Sequence, residues 1–306
     1  MSHDGRHAIT IIAMLGSVFS PYYAWAGRRD PLNHCTMNVA LYGPGGRWAM
    51  TERGRRAVHR DPTHLVIGPS SMRWDGETLT VDIQERGAPL PRPIRGTVRL
   101  TPRAVTSQAF PLDPREHHRW WPIAPHAEIE VDMQEPGQSW HGAGYWDSNW
   151  GTESLEDGFH TWTWSRAPLP DGGAAILYDM NPRHGPGAPL ALRFPPGGEA
   201  EPFEAPPKAL LPRTRVFRIA RETRCDAGHV ASVARTVEDT PFYGRSILNT
   251  HLLGTPVRAM HESICLDCFK RTIVRLMLPF RMPRITWGGP GGSAGGGTGS
   301  TGGSPG

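Results

Sequence analysis

Lysine is nearly missing from this chain. Of its 33 basic residues only Lys208 and Lys270 are lysines, so arginine carries the positive charge. A nucleotide-composition bias accounts for that as well as a phosphate-binding role would. The formal charge is +4 and the sequence pI about 9.1, but the basic residues are dispersed. No basic block marks a nucleic-acid footprint, and no nucleic-acid partner is expected. A mildly basic surface still suits an anionic membrane.

Cysteine is scarce too. The four are Cys35, Cys225, Cys265 and Cys268, and the last two form the CxxC "CLDC". No second CxxC or matched His pair accompanies it, so no zinc site or other metal is expected. All four read as reduced thiols of an intracellular chain.

Long apolar runs are absent. The one marked run, "AITIIAMLGSVF" (8–19), has 12 residues, against the roughly 20 that span a bilayer. Only Arg6 and a few His precede it, and "SPYYAWAGRRD" is a poor cleavage site, so a signal peptide is not expected. A buried strand, or a segment dipping into a membrane surface, fits better. Common catalytic fingerprints are also lacking. No GxGxxG precedes a helix, and there is no P-loop, no HExxH and no GxSxG outside the glycine-rich tail.

What the chain has in excess is Gly (36), Pro (31) and Trp (11). So much Gly and Pro argues for short strands and turns over long helices. Alternation confirms the type. "TLTVDIQE" (78–85), "GTVRLTP" (96–102) and "AEIEVDMQE" (127–135) each put apolar residues on one face. "AAILYDM" (174–180), "LALRF" (190–194), "RVFRIARETRC" (215–225) and "ASVARTVED" (231–239) continue the style. Helices are predicted over 50–60, capped by Thr51, and over 268–280. Residues 195–212 read as a long loop.

The pattern predicts an all-β chain of two barrel-like halves meeting near 150–165. The boundaries are 1–30 for an N-terminal apolar segment, 31–160 and 161–287 for two domains, and 288–306 for a disordered tail.

Seven of the Trp fall between 120 and 164, among two clusters of ionisable groups. One is "EHHRWWP" (116–122). The other is "SWHGAGYWDSNWG" (139–151). If the second is a strand, Tyr145 and Asp147 share a side, as His118 and Trp120 do on the first. An Asp among rings has a raised pKa and can donate a proton. Aromatic faces stabilise a cation. Acid and rings together suit protonation of a carbon–carbon double bond, followed by addition of water. The competing reading is structural: "DSN" followed by Gly151 is good turn chemistry, and clustered Trp usually make core.

Several stretches resemble the bacterial carotenoid 1,2-hydratases, also called acyclic carotenoid hydratases or hydroxyneurosporene synthases. They are "GSVFSPYYAWA" (16–26), "NHCTMNVALYG" (33–43), "RWAMTERGR" (47–55), "GYWDSNWGTESLEDGFHTWTWSRA" (144–167), "EDTPFYGRS" (238–246) and "MLPFRMPR" (277–284). The resemblance covers about residues 8–285. It implies two tandem lipocalin-like β-barrel domains with a few short helices. It also implies cofactor-independent addition of water across the terminal 1,2 double bond of acyclic carotenoids such as neurosporene and lycopene, in spheroidene- or spirilloxanthin-type pathways. The implied site has Asp147 as proton donor to C2, Trp120 and Tyr145 stabilising the C1 cation, and His118 acting on water. Trp121, Trp146, Trp150 and His141 are expected to line the substrate. The implied location is peripheral, on the cytoplasmic or intracytoplasmic membrane of a phototrophic bacterium. The membrane surface is then a partner, with "AITIIAMLGSVFSPYYAWA" (8–26), through Tyr22, Tyr23 and Trp25, as docking element or else an ordinary buried strand and turn, and no obligate protein partner is inferred. A non-catalytic lipocalin-type carrier keeps the rings without needing the acid. A hydratase for another unsaturated lipid is a further alternative.

Overall fold

Strands β1 (Ala8–Leu15), β2 (Cys35–Tyr42) and β3 (Arg47–Arg53) form an antiparallel meander with β2 in the middle. All eight residues of β2 are buried, as expected of a strand covered on both faces. The 8–19 run forms the edge strand β1, which is mostly half-buried, and the turn that follows it. Between β1 and β2 lies α1 (Pro21–Trp25), started by Pro21 and capped by the Ser20 hydroxyl, which accepts from Tyr23 N–H at 3.0 Å.

The structure, a computed structural model, describes residues 1–286. The tail expected to be disordered, 288–306, lies outside the described residues.

The predicted helix over 50–60 is not formed. Its sequence divides into β3, a 3-10 turn (Arg55–Ala57) and β4 (Val58–Arg60). Pairing with β2 buries Ala49, Met50 and Glu52, and that tertiary pairing overrides local preference. A meander follows: β5 (His64–Ile67), β6 (Ser70–Trp74), β7 (Leu79–Arg86) and β8 (Pro93–Pro102). The short β9 (Phe110–Pro111), then β10 (His118–Glu135) and β11 (Gln138–Gly151) complete the eight-stranded sheet. Its inner face packs on the first meander, joining Met37, Val39 and Leu41 to Val81, Ile83, Val98 and Val131 in one core.

The second half begins with α2 (Leu155–Gly158), β12 (Phe159–Pro168), β13 (Ala174–Pro182), β14 (Pro189–Phe194) and the short β15 (Glu201–Pro202). A separate ribbon, β16 (Lys208–Leu211) with β17 (Arg221–Arg224), interrupts the stretch expected to be a plain loop. Only 221–224 of the predicted strand 215–225 is formed. Val216 and Phe217 donate their N–H groups to the Asp239 carboxylate at 2.6 and 3.2 Å, not to a neighbouring strand. Strands β18 (Ser232–Asp239), β19 (Tyr243–Leu252) and β20 (Thr255–Cys265) close the order β15-β14-β13-β12-β20-β19-β18.

The predicted helix at 268–280 appears as α3 (Leu266–Phe269) and α4 (Thr272–Arg281). A final β21 (Arg284–Ile285) returns in parallel to β3. There Arg284 pairs with the buried Glu52.

The fold is thus mostly β with a few short helices, as expected. Closed barrels are not formed among the described residues. The seven- and eight-stranded sheets are open paths whose edge strands do not pair with each other. The expectation of reduced thiols fails for one pair. Cys265 and Cys268 form a disulfide across the junction of β20 and α3, with Cα atoms 5.2 Å apart, inside the range a bridge needs. Cys35 and Cys225 are free and buried.

Candidate active site

The hairpin β10–β11 carries the site. Its pairing runs from Met133 opposite Gln138 at the turn to His118 opposite Gly151 at the open end. The register shifts between Trp121 and Ala124 and again between Ala124 and Ala127. Pro122 and Pro125 fall in these intervals. Proline has no N–H to give the ladder, and bulges bend and twist a strand. Below the bulges Ile129, Val131, Met133 and Trp140 enter the first core. Above them Trp120 and Tyr145 enter a second core with Phe159, Trp162, Trp164 and Tyr178. One hairpin thus serves both halves of the molecule.

The turn alternative for "DSN" is overturned, since residues 147–151 continue β11 and 148–151 pair with β10, Asp147 itself lying opposite the register shift. Asp147 faces the second core with Tyr145. Trp120 Nε1 donates to Tyr145 OH and to Asp147 Oδ2, each at 3.0 Å, and Tyr145 OH donates to the same Oδ2 at 3.0 Å. Asn149 Nδ2 adds a longer bond to it at 3.3 Å. Among the described residues, Oδ1 takes no hydrogen bond.

Protein atoms crowd around Asp147 and Tyr145, yet both keep some accessible surface. Desolvation raises the Asp147 pKa to about 6, against the lowering effect of the Tyr145, Trp120 and Asn149 hydrogen bonds; the charge of Glu262 raises it further. Burial, and then the Asp147 charge, push the Tyr145 hydroxyl well above its ordinary value.

Rings surround the triad. Tyr145 lies 5.1 Å from Trp164, and Trp120 lies 5.5 Å edge-on from Tyr178 and 5.7 Å from Phe110.

The other sequence candidates disperse. His118 is buried, and its ring packs 4.9 Å from Phe159, with Glu153 Oε1 3.7 Å from Nε2. Gly151 and Gly158 leave it room, since an added Cβ at either would fall 2.6 Å from the ring. Desolvation lowers its pKa. No hydrogen bond joins it to Asp147 or Tyr145 among the described residues. Trp146 points the other way, 5.3 Å from Trp74 at the first core. Trp121 donates its indole N–H to Thr106 O at 3.0 Å. Trp150 is 47% exposed, and His141 is exposed near the first core.

Sequence reasoning missed a row of residues facing the triad. Tyr178 pairs with Trp164, Trp164 with Glu262, and Glu262 with Arg245 across β13, β12, β20 and β19. Paired positions share a face. Arg245 is buried and bonded to Glu262 and Tyr42. Trp162 and Trp164 carried a sequence signal, their spacing of two in "TWTW". A lone Glu262 in a β strand carried none.

The profile of the carotenoid hydratase CrtC family matches residues 11–288. The chain belongs to this family. An acyclic carotenoid 1,2-hydratase of Thiocapsa roseopersicina is 56% identical over 93% of this chain and 71% of its own length. One of Rubrivivax gelatinosus is 48% identical with the same coverage. One of Cereibacter sphaeroides is 42% identical over 90% of this chain and 98% of its own length. Among solved structures, a Nitrosomonas europaea protein assigned provisionally as AttH superposes with a TM-score of 0.54 at 14% identity, covering 86% of this chain and 88% of that one. That likeness bears on fold alone and fits the lipocalin-like class.

Proposed function

We propose that this carotenoid hydratase adds water across the terminal 1,2 double bond of an acyclic carotenoid such as neurosporene or lycopene. The 1-hydroxy product would feed spheroidene- or spirilloxanthin-type pigments. The single observation that carries the reading is the carboxyl of Asp147, poised near neutrality inside a shell of rings.

Protonated Asp147 gives its proton to C2, and the π electrons of the double bond form the new C–H bond. The positive charge then lies on the tertiary C1. Oδ1, the oxygen without protein hydrogen bonds, bears the proton. The bonds from Trp120 and Tyr145 to Oδ2 receive the carboxylate as it forms. Their faces, with Trp164 and Tyr178 behind them, stabilise the cation by roughly 0.5–2 kcal/mol each. Water adds to C1 and loses a proton, which restores Asp147 directly or by way of His118 as base. The sum is one double bond and one water giving one tertiary alcohol, with no net oxidation.

Support for His118 is its burial, which lowers its pKa and favours the neutral ring, and its place on β10, two residues from Trp120. Trp146, Trp121, Trp150 and His141 would meet the substrate only outside the shell around Asp147. A carotenoid lives in lipid, so the reading also places the protein at a membrane surface.

Expression in a lycopene-accumulating host, with chromatography for 1-hydroxy carotenoids, tests the reaction. The expected result is hydroxylated product from the wild type and none from Asp147→Asn. Bound, unchanged pigment in both would favour the carrier alternative.

A further inference from the structure

We propose that α4, with α1 beside it, is the face by which this protein docks on an anionic lipid surface. The inference deepens the membrane reading above by naming the docking element, and it moves that role away from the 8–19 run.

Helix α4 is amphipathic with its apolar side outward. Ile273, Leu276, Met277 and Phe280 are 64, 57, 44 and 75% exposed. Their spacing of three, four and seven places them on one stripe about 100° wide. The opposite side is held by the second core, through buried Val274 and partly buried Leu278. A water-soluble helix normally buries its apolar stripe. Here a second one is left in solvent.

Trp25 extends the patch. It is 61% exposed at the end of α1, which lies against α4, and packs edge-on 5.6 Å from Tyr22. Aromatic residues of this kind sit well at a membrane interface.

The charge around the patch is positive. Arg29, Arg271 and Arg281 are exposed at its borders with no acidic partner among the described residues, while Lys270 and the half-buried Arg275 are paired with Asp157 and Glu156. The nearby acids are already engaged: Glu156 by Arg28 and Arg275, Asp157 by Lys270, Asp267 by Arg183. Arginine and lysine bordering apolar anchors match the anionic headgroups of a bilayer. No described helix is long and apolar enough to cross a membrane, so contact through this face would be interfacial. The same helix caps the core that holds Trp120 and Tyr145, which brings the lipid and the acid to one half of the molecule.

The test is vesicle flotation with the full chain, using phosphatidylcholine alone and phosphatidylcholine mixed with phosphatidylglycerol. The wild type is expected to float with the anionic vesicles, less so in high salt. An Ile273→Ser, Leu276→Ser, Phe280→Ser variant is expected to lose at least about tenfold in binding. All three side chains are exposed, so its melting temperature should match the wild type. Hydration of substrate in detergent should be unchanged in the variant, while hydration of vesicle-borne substrate falls. Absence of activity in both proteins and both formats would instead strike at the hydratase reading. Equal flotation of the two proteins overturns the docking proposal. So does a wild-type dimer in sedimentation that the variant dissociates, because a second copy would then be the occupant.

Discussion

Trp120 Nε1 reaches across the hairpin to Asp147 Oδ2 at 3.0 Å, tying the one fully buried indole of β10 to the acid of β11. With Tyr145 at the third corner, the carboxylate form has donors waiting for it before any charge develops. Asp147→Asn keeps the size and an oxygen acceptor but has no proton to give. Its hydration rate should fall at least about 10²-fold, the usual worth of a positioned acid. Product formation with purified protein checks this, and circular dichroism should show an unchanged fold.

The same substitution should stabilise the protein. Burial holds the folded-state pKa of Asp147 near 6, above its ordinary value of 3.8. A carboxyl raised in this way favours folding below about pH 4, and the contribution fades as pH rises through about 6. At pH 8 the wild type therefore keeps a desolvated charge that the amide avoids. The gain should be on the order of 1–2 kcal/mol after discounting for the partial accessibility of the site. Thermal melts of both proteins at pH 4 and pH 8 check it: the variant leads at pH 8, and the gap closes at pH 4.

Activity should follow the acid. The protonated form dominates below about pH 6, so kcat/KM should fall by about tenfold per unit well above that value. A base in the reaction adds a second limb. Desolvation sets the His118 pKa below the ordinary histidine value, so the limb from its protonation lies below 6.5. A bell-shaped profile is expected, and His118→Gln should remove its acid side. An acid side that survives in the variant would leave His118 with a packing role against Phe159.

Much of this was legible in the sequence, because period-two alternation speaks directly of strands with one buried face. It put Tyr145 and Asp147 on one side of β11, and the structure agrees. It could not see that β10 bulges at Pro122 and Pro125, and so could not see that one hairpin feeds two cores. It misread 50–60 as a helix because pairing with β2 is not written in local propensity. The disulfide was missed because CxxC spacing is shared by thiols, metals and bridges. Glu262 and Arg245 were invisible for a plainer reason. They lie more than 90 residues from Asp147 in sequence, and only the sheet order brings them near.

Tyr145→Phe separates the hydroxyl from the ring. The lost hydrogen bond favoured the carboxylate, so the Asp147 pKa should rise. The basic limb of the pH profile should then move upward, while the maximal rate falls as oxyanion stabilisation is lost. Trp120→Phe should move the limb the same way, since its indole N–H bonds the same oxygen. Because Trp120 Nε1 also bonds Tyr145 OH, the double variant should show less than the sum of the two effects. Rate profiles of the two single variants and the double variant decide it.

Glu262→Gln should move the limb the opposite way. The charge of Glu262 helps hold Asp147 protonated, and it is itself anchored by the buried Arg245. Removing that charge lowers the Asp147 pKa, and the uncompensated arginine lowers it further. The protonated fraction near neutrality then falls, and the basic limb shifts to lower pH. Glutamine can still accept from Arg245 through its amide oxygen, but the buried arginine loses its charged partner, so the melting temperature should drop as well. A purely structural role for Glu262 would lower stability and leave the limb where it was. The pH profile of the variant, measured well below its melting temperature, distinguishes the two.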